Sequence, residues 1–256
     1  MDDTKVQCVL CQDRKLILLE SGAVLCQCMQ EKFKIQRLRN AGITPEMGQH
    51  RFEFFIQDYY AKHLRYPDKP ITYYQGARQA LQAAEGFVRD FMKDLHTSGL
   101  MFVGSVGTGK TFLAAAICNA LVDQGLDIFF VVVPDFLNEL RAGYRRPEDS
   151  DNQLLMEKVR HTPLLVLDDL GAHNYTDWTR NTIYSLLNYR TNHQLPVIIT
   201  TNLSLGELDE YLGERTTSRI IHLCRTCRLM VEKDIRHLKS QEREAWYRKE
   251  TGPASY

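Results

Sequence analysis

The sequence predicts an α/β fold in which helices cover both faces of a central parallel sheet, with a small cysteine-bounded unit ahead of it. Three observations carry this. Short, nearly unbroken apolar runs (GLMFVG, DIFFVVV, PLLVLDD, PVIITTN) alternate with longer segments of helical periodicity, the pattern of strands buried on both faces of a parallel sheet. A glycine-rich run, GSVGTGKT, stands between the first of those strands and a helix. Four of the seven cysteines fall within the first 28 residues.

From the N-terminus, LILLESGAVL is two short apolar runs split by Ser21-Gly22, a hairpin that presents two cysteine pairs to each other. EKFKIQRLRNAG is basic and helix-permissive, and Gly42 ends it. In residues 45–70 the aromatics Phe52, Phe54, Phe55, Tyr59 and Tyr60 suggest a helix or a bridging segment, and Pro67 and Pro70 mark a break. We therefore expect three parts: residues 1–45, a bridge at 46–70, and a large domain at 71–256. Residues 73–95 are a helix, with Ala77, Leu81, Ala84, Val88, Phe91, Met92 and Leu95 at three- and four-residue steps. Helices are then expected at TFLAAAICNALVDQG, PDFLNELRAGY, QLLMEKVRHT, WTRNTIYSLLNYRTNH, LGELDEYL and ERTTSRIIHL, with a last short strand at RLMVEK. The charged stretch RRPEDSDN reads as a surface connection.

Composition narrows the function classes. The chain has 256 residues, enough for one or two domains with real cores. It is 44% apolar and 25% charged, as soluble globular chains are. The formal net charge is zero, so any contact with nucleic acid has to come from a local patch. No apolar run is long enough to span a membrane. The polar N-terminus lacks an apolar secretion segment, so a cytoplasmic location is expected. An odd cysteine count there argues against a disulfide framework.

The glycine-rich run matches the phosphate-binding loop pattern in strand–loop–helix context. Its glycines let backbone N–H groups turn inward around phosphates, and the helix N-terminus adds its positive end. Gly104, Ser105, Val106, Gly107, Thr108, Gly109, Lys110 and Thr111, with Phe112 after them, are the candidate nucleotide-binding residues. Lys110 would reach the β- and γ-phosphates, and the Thr111 hydroxyl would ligate magnesium. LLVLDDLG is an apolar strand ending in two aspartates, where open α/β sheets bind ligands. Asp168 would hold magnesium, directly or through water. Asp169 could orient or deprotonate an attacking water. Asn202, at the end of PVIITTN, would face the γ-phosphate or that water.

Cys8-x-x-Cys11 and Cys26-x-Cys28 are separated by fourteen residues. Four thiolates from two such knuckles suit tetrahedral zinc, and zinc could supply the folding energy that a unit of this size lacks. Free surface thiols and a redox pair are the alternatives. The basic run Lys32–Arg39 either offsets the zinc–thiolate charge or faces a partner. Cys118 reads as core. Cys224 and Cys227 form a pair with no companions nearby, read as core or chance ahead of a shared metal site.

From about residue 71 to 240, the chain resembles the ATPase domain of the bacterial replicative-helicase loaders, the DnaC/DnaI family of AAA+ proteins, and the related IstB transposition ATPases. GSVGTGKT, LLVLDDLG and ITTNLSLGELDEYLGERTTSRI carry the resemblance. It implies ATP with magnesium as cofactor and ATP hydrolysis between subunits. Gly104–Thr111 would be Walker A and Asp168 the Walker B magnesium residue. Asp169 stands where most AAA+ proteins have glutamate. Asn202 resembles sensor 1, Arg219 an arginine finger (with Arg215 as the other option), and Arg236 sensor 2. A finger acts on a neighbour's ATP, so self-association is implied. Only twenty residues follow Arg236, which implies a reduced or absent C-terminal lid. The loader resemblance implies a replicative helicase hexamer and single-stranded DNA as partners, with the zinc unit binding the helicase. The alternative is a transposition helper that binds DNA and a transposase.

Overall fold

The N-terminal unit begins with an antiparallel hairpin, β1 (Leu16–Leu19) and β2 (Gly22–Leu25), with Leu16 opposite Leu25. Helix α1 (Gln27–Asn40) follows and ends at Ala41, with Gly42 left-handed at φ 76°. The computed structural model describes residues 6–19, 22–143, 150–172 and 175–251. The predicted RRPEDSDN connection therefore lies mostly outside the described residues.

Residues 45–70 hold no α-helix. They form three short 3-10 turns, Met47–Gln49, Phe52–Phe54 and Gln57–Tyr59. Their aromatics follow no 3.6-residue period: Phe52, Phe55, Tyr59 and Tyr60 pack one by one into the main core, while Phe54 stays exposed. Helix α2 (Tyr73–Phe91) starts at a capping box: Thr72 Oγ1 accepts from the Gln75 N–H, and the Gln75 side chain accepts from the Thr72 N–H. Such a cap contributes about 1 kcal/mol.

The rest alternates strand and helix: β3 (Gly99–Val103), α3 (Lys110–Asp123), β4 (Ile128–Val132), α4 (Val133–Gly143), α5 (Ser150–His161), β5 (Leu164–Asp168), α6 (Asp177–Asn192), β6 (Val197–Thr201), α7 (Leu205–Leu212), α8 (Glu214–Leu223), β7 (Cys224–Arg228) and α9 (Ile235–Thr251). The sheet order is β4-β5-β6-β3-β7, and every neighbouring pair is parallel. Successive side chains enter opposite cores. Leu100, Phe102, Phe130, Val166 and Ile198 pack under α2 and α3, while Met101, Phe129, Leu165, Leu167 and Ile199 pack under α4, α6 and α8. This is the two-faced parallel sheet that the apolar runs predict.

One strand is displaced from its expected place. The last strand is the polar segment CRTCR, not RLMVEK. As an edge strand it pairs only with β3, so it needs little apolar character. Leu229, from the expected strand, is instead fully buried beside the phosphate loop, where its N–H donates to Val103 O at 2.7 Å. Cys224 and Cys227 are three apart on β7 and enter opposite cores, so they form no knuckle. Cys118 is fully buried, and burial pushes its thiol up.

No helix among the described residues is long and apolar enough to cross a membrane. The sheet's register sets the site: Val103 pairs with Thr201, and Leu167 with Ile199. The segments that follow β3, β5 and β6 thus leave the sheet side by side at its C-terminal edge.

Candidate functional site

The loop from Gly104 to Gly109 leaves β3 and enters α3 through two left-handed glycines, Gly107 (φ 72°) and Gly109 (φ 84°). Neither position has room for a side chain. A Cβ on Gly109 would lie 2.8 Å from Tyr60 Oη and 3.2 Å from the Phe55 ring, and one on Gly107 would collide with the Asp234 carboxylate. The loop is held from outside as well. Tyr60 Oη donates to Thr108 O at 2.8 Å, and the Ile235 N–H donates to Gly107 O at 3.2 Å.

Lys110 opens α3 and turns back into the loop, where Nζ donates to Gly104 O and Ser105 O, both at 2.7 Å. Burial pulls its pKa down to about 8, against the pull of Asp169 and Asp168. Beside it, Thr111 Oγ1 donates to Asp168 Oδ1 at 2.9 Å. Asp168 ends β5 and is buried. Burial raises its pKa, opposed by the hydroxyls of Thr200 and Thr111. A hydroxyl and a buried carboxylate meeting beside a phosphate-type loop form a donor set suited to magnesium. Asp169 is left-handed at φ 61°, and Asn202 Nδ2 donates to its Oδ1 at 3.3 Å.

The structure brings Lys110, Thr111, Asp168, Asp169 and Asn202 together. Gly107–Phe112 also line a cavity of about 550 Å³ together with Arg236, at the first turn of α9. Arg236 is close enough that its charge works against that of Lys110. Arg219 and Arg215 lie elsewhere, on α8 outside this cavity, Arg219 half-buried and Arg215 exposed.

Sequence reasoning missed the opposite wall of the cavity. Thr44, Glu46, Met47, His50, Phe55 and Tyr59 line it. The His50 ring stacks on Phe112 with centroids 4.5 Å apart, and burial lowers the His50 pKa, which favours a neutral imidazole. Asn119, fully buried on α3, pins this wall by donating to Met47 O (2.8 Å) and His50 O (2.7 Å). Tyr59 Oη donates to Glu242 at 2.6 Å, tying the wall to α9. The one available signal was a polar Asn inside the apolar run AAAICNAL, since a buried amide needs partners.

A second site lies in the N-terminal unit. The sulfurs of Cys8, Cys11, Cys26 and Cys28 all lie within 4.8 Å of one another. Cys8 and Cys26 are 3.7 Å apart, and Cys11 and Cys28 3.6 Å. Four thiolates around zinc at the usual bond length sit about 3.8 Å apart, so the set fits a tetrahedral ion. Cys11 and Cys26 are buried. Asp13 shapes the first knuckle by accepting from the Gln7 and Cys8 N–H groups at 3.1 and 3.0 Å.

The chain is similar to known proteins. Among curated proteins, the chain is similar to the replicative helicase loader DnaI of Bacillus subtilis, 33% identical over 159 residues, which are 56% of this chain and 50% of that one. It is also similar to the replicative helicase loader DnaC of Escherichia coli, 31% identical over 146 residues, 57% of this chain and 58% of that one. The matches thus span little more than half the length of these relatives. The crystal structure of a DnaC helicase loader superposes with a TM-score of 0.59 at 28% identity, covering 73% of this chain and 99% of that chain. Residues 83–243, more than half of the chain, match the model of a family described as IstB-like ATP binding protein. By that match, and by its homology to the DnaC and DnaI loaders, this chain belongs to the IstB-like ATP binding protein family.

Proposed function

We propose that this chain is an AAA+ ATPase that loads a replicative DNA helicase hexamer onto single-stranded DNA, in the cytoplasm, using ATP hydrolysed at subunit interfaces. The observation that carries the ATPase half is the junction of Thr111 and Asp168 at the foot of the Gly104–Lys110 loop. On this reading residues 71–256 are the ATPase domain, 46–70 the bridge, and α9 a reduced lid. The loop's N–H groups bind the phosphates, and Lys110 leaves its two carbonyls for them. Thr111 and Asp168 would hold magnesium, which would supply positive charge to offset that of the phosphates. Asp169, steadied by Asn202, orients or deprotonates the attacking water. Arg236 reaches the γ-phosphate of its own subunit. Arg219, or Arg215, serves a neighbour's ATP; their place on α8, away from the chain's own cavity, supports self-association.

For the loader half, the N-terminal unit is the supporting feature. We assign residues 1–45 to a zinc-binding, helicase-contacting domain. Its hairpin buries neither face, with Leu18 79% exposed, and the turn between Cys8 and Cys11 leaves Val9 86% and Leu10 66% exposed. A surface so apolar, on so small a unit, is a docking surface for a protein partner. The second reading, a transposition helper that binds DNA and transposase, is favoured by the match to the IstB-like ATP binding family taken with the resemblance of the sequence to the IstB ATPases.

The test is co-purification of the full chain with the replicative helicase, alongside a Leu18→Asp/Val9→Asp variant. We expect the full chain to retain the helicase and the variant to lose it while still binding ATP. Capture of a transposase and no helicase by the full chain would establish the second reading instead.

A further inference from the structure

The structure assigns Thr200, on β6, as a positioning residue for both aspartates of the site; this rests on the ATPase reading above. Thr200 Oγ1 lies 2.6 Å from Asp168 Oδ1 and 2.9 Å from the Asp169 amide nitrogen. A hydroxyl has one hydrogen and two lone pairs. The Asp169 N–H can only donate, so it takes a lone pair. The hydroxyl hydrogen is then committed to Asp168, and the group has one orientation.

The same residue holds the next peptide as well, because Thr200 O accepts from the Leu170 N–H at 2.9 Å. That turn needs holding. Asp169 sits at φ 61°, a left-handed backbone that disfavours residues with a side chain. Thr200 thus fixes the carboxylate of the first aspartate and the backbone of the second. Thr111 donates to the same oxygen, Oδ1 of Asp168. Oδ2 is left as the oxygen that neither hydroxyl engages, ready to face magnesium or its water. Thr200 is only 1% exposed, so it reaches neither nucleotide nor water and works through the aspartates alone.

The test compares the full chain with Thr200→Val, Thr200→Ala and Thr200→Ser. Affinity for a fluorescent ATP analogue is measured in EDTA and in magnesium, and ATP turnover is measured against magnesium at saturating ATP. In EDTA all four chains should bind alike. In Val and Ala, the magnesium-dependent gain in affinity and kcat should fall by about 10-fold or more, the usual loss when a ligand's supporting partner is removed, with KM for ATP little changed. Ser keeps the hydroxyl and should restore both. Val fills the methyl's volume and Ala cannot overpack, so agreement between them separates the lost hydrogen bond from a packing fault. Wild-type magnesium response in Val and Ala would overturn the assignment. So would a Ser variant that fails with them, its activity tracking the folded fraction seen in melting curves. A wild-type chain that binds no ATP in either condition would instead break the ATPase reading and carry the inference with it.

Discussion

The N-terminal unit and the sheet domain are held together by different physics. Before residue 40 the buried side chains of the described residues are two cysteines, Cys11 and Cys26, and the hairpin's leucines and valines face outward. The sheet domain buries two continuous apolar cores, one on each face. One part gathers four cysteines in a set that suits an ion, the other removes apolar surface from water. A unit with no core to rearrange can leave its apolar residues free for a partner. A domain with two cores can position a site to within a fraction of an ångström.

The largest way to break this contrast is at the cysteines. Zinc in small structural sites contributes about 10–16 kcal/mol of apparent folding energy. In Cys11→Ser, bound zinc should be lost and the amides of the β1–β2 hairpin should lose protection in hydrogen exchange. The central strands should stay protected and ATP affinity should hold. Unfolding of the sheet together with the hairpin would show that the two parts share one stability.

Arg190 is the converse case, an internal cation inside the sheet domain. It is 0% exposed, and its guanidinium donates to Val159 O, Arg160 O, Thr162 O, Pro163 O and Pro196 O at 2.8 to 3.4 Å. It thereby closes the C-terminal end of α5, where a positive charge is favourable. Burial lowers its pKa to about 9, still high enough to keep it charged at neutral pH. Arg190→Met leaves those carbonyls without their donor and should cost about 3 kcal/mol. The melting temperature of the sheet domain should fall while zinc content stays constant. An unchanged melting curve would show that solvent replaces the guanidinium there.

The smallest effect is a pH dependence that only the sheet domain carries. Lys110 has a pKa of about 8 in the free loop because it is buried. Bound phosphates favour its charged form and raise that value. Below about pH 8 the ammonium is already charged, so Lys110 adds no pH dependence there. Above it, binding must take up a proton, and affinity falls by up to about tenfold per pH unit, or roughly 1.4 kcal/mol. Calorimetry in buffers of different ionisation enthalpy should show proton uptake at pH 8.5. Lys110→Arg should remove the uptake; its persistence would place the titrating group elsewhere.

What could be read from the sequence follows the same division. The four apolar strands, β3 to β6, were legible because burial on both faces demands unbroken apolar runs, and the phosphate loop because its backbone turns demand glycine. The hairpin was legible from its turn and its cysteines. The cavity wall at 44–60 was not, since 3-10 turns leave no period and each aromatic there answers to a tertiary neighbour. Strand β7 was misplaced because an edge strand can be polar, whereas Leu229 looks like strand and is a plug. Arg190 was hidden for another reason: an arginine in an amphipathic helix usually faces water, and only the packing of α5 and β6 around it turns it inward. Thr200 was in view as part of TTN, but its two bonds depend on how β5 and β6 align.

Gly42 gives the join between the two parts a further meaning. There the chain runs along the outer edge of β4, where the Phe130 N–H donates to Ala41 O at 2.7 Å and Gly42 lies against Phe130 O. A side chain at 42 would strike that carbonyl and demand a left-handed backbone besides. It would lift the tail from the sheet and bare the Phe130 N–H on the edge of β4, the kind of unpaired group to which strands from other molecules add. The connection between the two parts thus also acts as the hem of the sheet.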